Sequence, residues 1–494
     1  MKFDKLPRHA FLLAALVPLI MVKSCSESAS LPICKDGWDI YVAGSYRYGP
    51  SLIVNENGSI DAWFSATGGI HGRDKIHCNW TDEEHNATYR LADGDAAQYF
   101  KCETDFYSIH LCCANWGSQD ESLTLNVYTW KGDYKTSVSS KPVCSKKFTG
   151  YDDNAYLEIC LSEEAREDHS IKFPAGEYLW VACNPSEKAS VWMDKGGSAS
   201  TGGLSPKSFK DGHADEGFQF KSRILTDYTE CQVFWDQITY QHSDDGGRTW
   251  TQESQTLSPT DDSWDLYSCC DPGVARWGGW YYIAYTSCEN PRQTDDNVCV
   301  ARSKSPDGPW EKWNGKGWGG KPHPIVMYSG VGNDEKYGAG EPCFVVLDET
   351  VYLYYTWKDE ANQTRVCTAP SDEENWPAHL TYRGIAIDKT TEGADHSDVK
   401  YRTDEGLFYA INTAKRFTDE AYIQIWTSRD GLKFTLEGKM EGTGFRKGLH
   451  NCGWSGDELG HQDPSKPQFI SYAYGTGSWG VWNTWLAPLE FPTK

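Results

Sequence analysis

Trp280-Tyr-Tyr-Ile-Ala-Tyr-Thr286 is followed after a short gap by Asn297-Val-Cys-Val-Ala-Arg-Ser-Lys-Ser-Pro-Asp-Gly-Pro-Trp310. The first stretch is aromatic and β-rich, the composition a pleated sheet selects. The second is another strand that runs into an Asp-Gly turn and closes on an aromatic ring. The same pair returns along the chain. Asp61-Ala-Trp-Phe-Ser-Ala-Thr67, Val351-Tyr-Leu-Tyr-Tyr-Thr-Trp357, Leu407-Phe-Tyr-Ala-Ile-Asn-Thr413 and Phe469-Ile-Ser-Tyr-Ala-Tyr-Gly475 repeat the first member. The segments from Asp236, Arg365, Ile423 and Ser478 repeat the second, the last without its turn. Five copies of one strand unit predict an all-β chain built as a five-bladed β-propeller. Trp38-Asp-Ile-Tyr-Val-Ala43 is expected to pair with the last blade, closing the ring and removing its free edges.

The first copy is interrupted. Its leading strand ends near residue 67 and its partner begins at Asp236, too long a separation for a structureless loop in a compact protein. Between them lie alternating strands such as Leu123-Thr-Leu-Asn-Val-Tyr-Thr-Trp130 and Gly176-Glu-Tyr-Leu-Trp-Val-Ala-Cys183, which predict a β-sandwich inserted in blade one. The expected organisation is a leader over 1–24, the first part of blade one over 37–80, the sandwich over 84–222 and the rest of the propeller over 224–494. The sandwich is either an accessory carbohydrate-binding unit, with Trp116, Trp130, Trp180 and Trp192 as candidate platforms, or a lid shaping the rim.

Lys2, Lys5 and Arg8 precede an apolar run from Ala10 to Val22, too short to span a membrane and shaped like a secretory signal. Lys23 beside Cys25 suits a lipid-attachment site poorly, so release rather than anchoring is expected. Sequons at Asn57, Asn79, Asn86 and Asn362 and a content of 17 cysteines agree with an oxidising, extracellular setting with disulfide bridges. With 47 basic and 70 acidic residues the net charge is −23, which opposes nucleic acid and anionic membranes as partners. The 22 Trp and 28 Tyr favour a sugar partner, an oligo- or polysaccharide, because flat rings pack on the apolar faces of pyranoses and furanoses.

In a propeller the residues at the start of each innermost strand point into the central funnel. Those positions read Gly49-Pro50-Ser51, Asp271-Pro272-Gly273, Glu341-Pro342-Cys343, Ser397-Asp398-Val399 and His450-Asn451-Cys452. Three carboxylates, Asp271, Glu341 and Asp398, therefore converge, and neighbouring carboxylates push their proton affinities apart as acid and base chemistry requires. Lys312-Trp-Asn-Gly-Lys-Gly-Trp-Gly-Gly-Lys-Pro-His323 is Gly- and Trp-rich and is expected to reach over the funnel, with Trp313 and Trp318 stacking on sugar.

Asp-Pro opening blade two and Gly-Glu-Pro opening blade three resemble the five-bladed glycoside hydrolases of the arabinanase, β-xylosidase and invertase kind, over roughly residues 37–80 and 224–494. The resemblance implies hydrolysis of a glycosidic bond, Glu341 as general acid and Asp271 as the residue that orients sugar or modulates the acid. It implies no required cofactor. His450, a candidate sugar contact, and His461 are similar to a histidine that helps hold a central ion in some of these enzymes. The pattern departs at Gly49, where those enzymes carry a catalytic Asp, so the second carboxylate is expected from Asp398 or Asp61, with Asp398 favoured because Asp61 lies within the outer part of a strand. A second resemblance is to sialidases. Ser243-Asp-Asp-Gly-Gly-Arg-Thr-Trp250 matches their Asp-box, Ser428-Arg-Asp-Gly-Leu-Lys-Phe434 is a shortened copy, and Tyr46-Arg-Tyr-Gly-Pro50 is similar to the opening that gives Arg47 a substrate carboxylate. The sequence thus leaves three readings open: a neutral-glycan hydrolase, a sialidase-like exo-glycosidase, and a propeller that binds carbohydrate without cleaving it.

Overall fold

The computed structural model describes residues 31–492 except 43–44, 73–74, 79–86, 119, 185, 195–206, 216–218, 230–231, 291, 293, 330–335, 361, 390–393 and 476–479. The expected leader, Cys25 and the sequons at Asn79 and Asn86 lie outside the described residues. No helix of the described residues is long and apolar enough to cross a membrane.

The protein is all-β. Five antiparallel sheets of four principal strands follow one another. Blade one is Tyr48–Val54, Ile60–Ile70, Val233–Ser243 and Ser254–Leu257. Blade two is Ser268–Trp277, Trp280–Cys288, Asn297–Ser303 and Glu311–Lys312. Blade three is Gly338–Leu347, Thr350–Lys358, Asn362–Pro370 and Thr381–Asp388. Blade four is Ser397–Arg402, Leu407–Ala414, Tyr422–Ser428 and Thr435–Lys439. Blade five is Leu449–Gly456, Gln468–Tyr474 and Asn483–Glu490, and its fourth strand is Trp38–Tyr41 from the other end of the chain. Blades one and five also meet along their inner strands, Leu52 beside Ser455 and Ile53 beside Gly456. The ring is closed by pairing between distant parts of the chain.

The aromatic strands read from the sequence are the second strands of the blades, buried on both faces because each blade packs against the next. Between blades one and two, Ile53, Trp63, Ile238, Val274, Ile283 and Tyr285 form one such layer. Between blades two and three, Trp277, Tyr282, Phe344, Leu353 and Trp376 form another. The Asp-Gly turns join third to outer strands. In blade one Asp245 Oδ1 accepts from the backbone of Arg248 and Thr249, and the turn after Ser428 is built the same way on Asp430.

The chain leaves blade one after Ile70 and returns at Val233, its direct partner. The intervening residues form two sheets around a separate core that includes Phe100, Phe106, Phe173, Tyr178 and Trp180. Phe106 and Phe173 stack at 4.6 Å. Trp180 is wholly buried there and is no platform, and Trp130 packs on Tyr99 and Phe209. Trp116, 54% exposed, sits 6.0 Å from Trp192.

Fourteen of the cysteines among the described residues form no disulfide in this structure. Cys269 and Cys270 illustrate why neighbours on a strand do not meet: successive side chains point to opposite faces. Cys269 enters the layer between blades one and two, whereas Cys270 faces the funnel.

Candidate active site

Strand direction decides which residues reach the funnel mouth. In an antiparallel blade the starts of the first and third strands and the end of the second lie at one end. The residues lining a cavity of about 220 Å³ come from those places. Tyr48, Asp271, Glu341 and Asn451 stand near the starts of inner strands, Thr286 and Lys358 at or near the ends of second strands, and Asp236 and Asp296 at the starts of third strands.

Four inner strands carry a bulge at this end. Ladder register shifts between Tyr48 and Ser51, Cys270 and Gly273, Gly340 and Cys343, and His450 and Cys452. A bulge leaves a residue unpaired and re-aims a side chain. The residues so placed are Gly49, Asp271, Glu341 and Asn451, all with φ between +38° and +57°. In the first three blades the next residue is proline, whose missing N–H costs nothing where no ladder partner exists. Positive φ at Asp271, Glu341 and Asn451 stores strain of about 1–3 kcal/mol each. Surrounding bonds hold it: Asp271 N donates to Ser65 Oγ at 2.7 Å and Glu341 N to Thr286 Oγ1 at 2.8 Å, each reaching the preceding blade.

The carboxylates are fixed in turn. Thr286 Oγ1 donates to Asp271 Oδ2 at 3.1 Å, Asn451 Nδ2 to Asp271 Oδ1 at 3.1 Å, and Thr356 Oγ1 to Glu341 Oε2 at 2.6 Å. Burial and the nearby Glu341 charge push the Asp271 carboxyl well above the usual range. Burial acts on Glu341 in the same sense, but the charges of His396 and Lys389, the Thr356 hydroxyl and Arg416 outweigh it and hold Glu341 below its ordinary value. The two carboxyls are thus driven in opposite directions, Asp271 upward by burial and the Glu341 charge, Glu341 downward by the basic groups clustered on its side. Lys389 Nζ donates to Thr356 Oγ1 at 3.0 Å, and burial pulls Lys389 down to about 8.

Three more carboxylates line the cavity: Asp236, Asp296 and Asp395. Burial raises Asp236 to about 6 and Asp296 to about 7. Asp395 is ion-paired with Arg416. Arg416 stands between Lys415 and Phe417, both at positive φ, in the turn after the second strand of blade four. Three buried polar atoms on this wall have no hydrogen bond within the protein: Asp236 Oδ1, Tyr337 Oη and Asn451 Oδ1. Each such group is costly unless something polar meets it, and a polyhydroxylated ring offers both donors and acceptors.

Of the candidate site residues singled out in the sequence, Asp271, Glu341 and His450 line the cavity and the others do not. Asp398 lies outside it because the inner strand of blade four pairs without a bulge. Its carboxylate is engaged by Lys400 Nζ at 2.5 Å and by the backbone N–H of Trp454 at 2.9 Å. Arg47 points away, since alternation sends Tyr46 and Tyr48 inward and Arg47 outward, where it forms a two-point pair with Glu253. The sialidase-like role for Arg47 loses its geometric basis with that pair.

Trp313 and Trp318 belong to the perimeter. Their loop begins at the outer strand of blade two, Trp313 is buried among the rings between blades two and three, and Trp318 Nε1 donates to Glu374 O at 3.1 Å. His461 Nε2 lies 2.6 Å from the carbonyl oxygen of Val346, away from the cavity. His450 sits among Tyr48, Phe417 and Trp482, where burial and the charges of Arg416 and His396 keep it neutral. Among the described residues no group of three or more His, Cys, Asp or Glu is arranged to hold a metal ion. Of the two histidines only His450 lines the cavity.

Asp236, Asp296, Tyr337 and Arg416 escaped the sequence reading. Strand polarity places them at one mouth: Asp236 and Asp296 lie near the starts of third strands, Tyr337 just before the inner strand of blade three, and Arg416 just after the second strand of blade four.

No protein-family model matches the chain, and no curated protein matches it. Among solved structures it is similar to Zg3597, a family 117 glycoside hydrolase produced by the marine bacterium Zobellia galactanivorans, at 16% identity over 51% of this chain and 70% of that one, with a TM-score of 0.37. It is similar to a thermostable family-43 glycoside hydrolase at 14% identity, over 52% and 86%, with a TM-score of 0.39. A third is the α-L-arabinofuranosidase PaAbf62A from Podospora anserina in complex with cellotriose, at 13% identity, over 52% and 83%, with a TM-score of 0.36. Likeness of this degree carries no argument about activity, which rests on the residues of this chain.

Proposed function

We propose that the protein hydrolyses a glycosidic bond of an extracellular glycan in the cavity at the propeller mouth. The observation that carries this reading is the buried pair Asp271 and Glu341, on equivalent bulges of adjacent blades, with proton affinities driven in opposite directions. A carboxyl that keeps its proton can deliver it to a leaving oxygen. A carboxylate that stays ionised opposes the positive charge that gathers on the sugar ring as the bond breaks. Asp271 takes the first role and Glu341 the second.

The cavity of about 220 Å³ is smaller than the roughly 300–1,000 Å³ of sites for drug-sized ligands, which suits one sugar unit at the mouth rather than several in a groove. The extracellular setting follows from the leader-like residues before position 25. Sugar release from a panel of plant, algal and sialylated glycans tests the reading, with Asp271→Asn and Glu341→Gln beside the wild type. Release by the wild type that falls by about 10²–10⁴-fold in each variant is expected. Glycan retention on an array without any release would instead favour a binding propeller.

A further inference from the structure

We propose that Asp236 is the general base of this hydrolysis, supplying from the third strand of blade one the carboxylate that the inner strand lacks at Gly49. The inference rests on the hydrolase reading above. Gly49 occupies the bulge equivalent to Asp271 and Glu341, and a Cβ built there would stand 2.9 Å from Asp271 Oδ1, so that position has no room for a carboxylate while Asp271 keeps its place. Asp236 lines the same cavity from the neighbouring part of the wall.

The two oxygens of Asp236 have different surroundings. Oδ2 accepts from Ser268 Oγ at 3.1 Å, a bond that crosses from blade two and fixes the carboxylate. Oδ1 is buried and accepts no hydrogen bond within the protein. The groups that face Asp236 are Tyr46 and Tyr48 from blade one, Ser268, Cys270 and Asp271 from the inner strand of blade two, Cys288 from its second strand and Asp296 from its third. None of the seven is a cation. Burial raises the Asp236 carboxyl to about 6, with Tyr46, Ser268 and Tyr48 partly opposing the rise. A base works best when its proton affinity lies near the working pH, and this value is close to it.

The step balances as follows. Water gives a proton to Asp236 Oδ1 while its oxygen forms a bond to the anomeric carbon. The glycosidic C–O bond breaks, its electron pair moves to the leaving oxygen, and that oxygen takes the proton of Asp271. Asp236 then releases its proton to solvent and Asp271 regains one. A single displacement by water inverts the anomeric centre.

The test uses the full chain and 4-nitrophenyl glycosides of neutral pentoses and hexoses in both anomeric forms. In the wild type the acid limb of the kcat/KM profile is expected near pH 6. Asp236→Asn should lower kcat by about 10²–10⁴-fold and remove that limb. Asp236→Gly should regain activity with sodium azide, giving a glycosyl azide of inverted configuration by NMR. Asp271→Asn should lose less on these substrates than on glycans, because 4-nitrophenolate departs without a proton. A wild type that cleaves while Asp236→Asn keeps its kcat and its acid limb overturns the inference alone. So does a loss of activity in Asp236→Asn and Asp236→Gly, both with unaltered melting temperature, that azide does not restore. No release by the wild type from any glycoside overturns the hydrolase reading and this inference with it.

Discussion

Gly49, Asp271 and Glu341 hold one geometric position in three successive blades, so the difference between them is a difference in side chain on a common backbone. Because the Cβ direction at 49 runs into Asp271, Gly49→Asp is not a repair. It displaces the proton donor, and sugar release should fall rather than rise. The substitution also trades glycine for a Cβ at φ +57°, a cost of about 1–3 kcal/mol that a denaturant titration would read. Asp296 makes a different prediction. Burial pushes its carboxyl up to about 7, so the folded chain keeps a proton that the unfolded chain, near 3.9, has released. This contribution is complete below the unfolded value and is lost as pH rises through 7. Asp296→Asn should therefore gain stability on the wild type between pH 4 and pH 8, by up to about 4 kcal/mol. Melting temperatures across that range check it. A gap that does not widen with pH would show Asp296 ionised in the fold.

At the scale of the element, the outer strand of blade two is only Glu311–Lys312, yet it carries a long loop. Its anchor is the buried ion pair of Lys312 with Asp265, at 2.5 Å, to which Thr260 N, Ser263 Oγ and Tyr285 Oη also donate. Removing one partner strands the other charge in the core. Lys312→Met should cost about 3–5 kcal/mol in urea unfolding, and adding Asp265→Leu should recover part of the loss. The same anchor explains an error of sequence reading. A Gly- and Trp-rich loop was expected over the funnel on composition, but a loop that begins on an outer strand starts at the perimeter, and Trp313 and Trp318 fill the seam between blades. Asp271 and Glu341 were legible because a carboxylate before proline at a strand start announces a bulge. Asp398 misled because blade four has the residue without the bulge. Asp236 was not legible as a site residue: in one dimension it is the first letter of an Asp-Gly-turn strand, and only its paired neighbours Thr67 and Ser268 carry it to the cavity wall.

For the whole molecule, the sandwich is joined to the propeller in a way that makes it separable. Ile70 and Val233 are direct partners in blade one, and His71 N donates to Gln232 O at 2.9 Å, so the chain exits and re-enters at adjacent points of one hairpin. The insert has its own core between its two sheets, and among the described residues none that lines the cavity comes from it. Blade one is therefore complete without the insert, because its second and third strands pair across the gap. Replacing residues 72–231 by a two-residue Asn-Gly turn should leave a closed propeller, since such a turn matches the twist of the two strands it would join. Circular dichroism should keep its β signature, unfolding should remain cooperative, and kcat on a small glycoside should match the full chain. Cleavage of a polymer separates the two roles considered for the sandwich. If KM on polysaccharide rises while kcat on the small glycoside holds, the insert gathers substrate. If kcat on the small glycoside falls as well, the insert shapes the cavity from outside its lining, through the rim residues it holds in place.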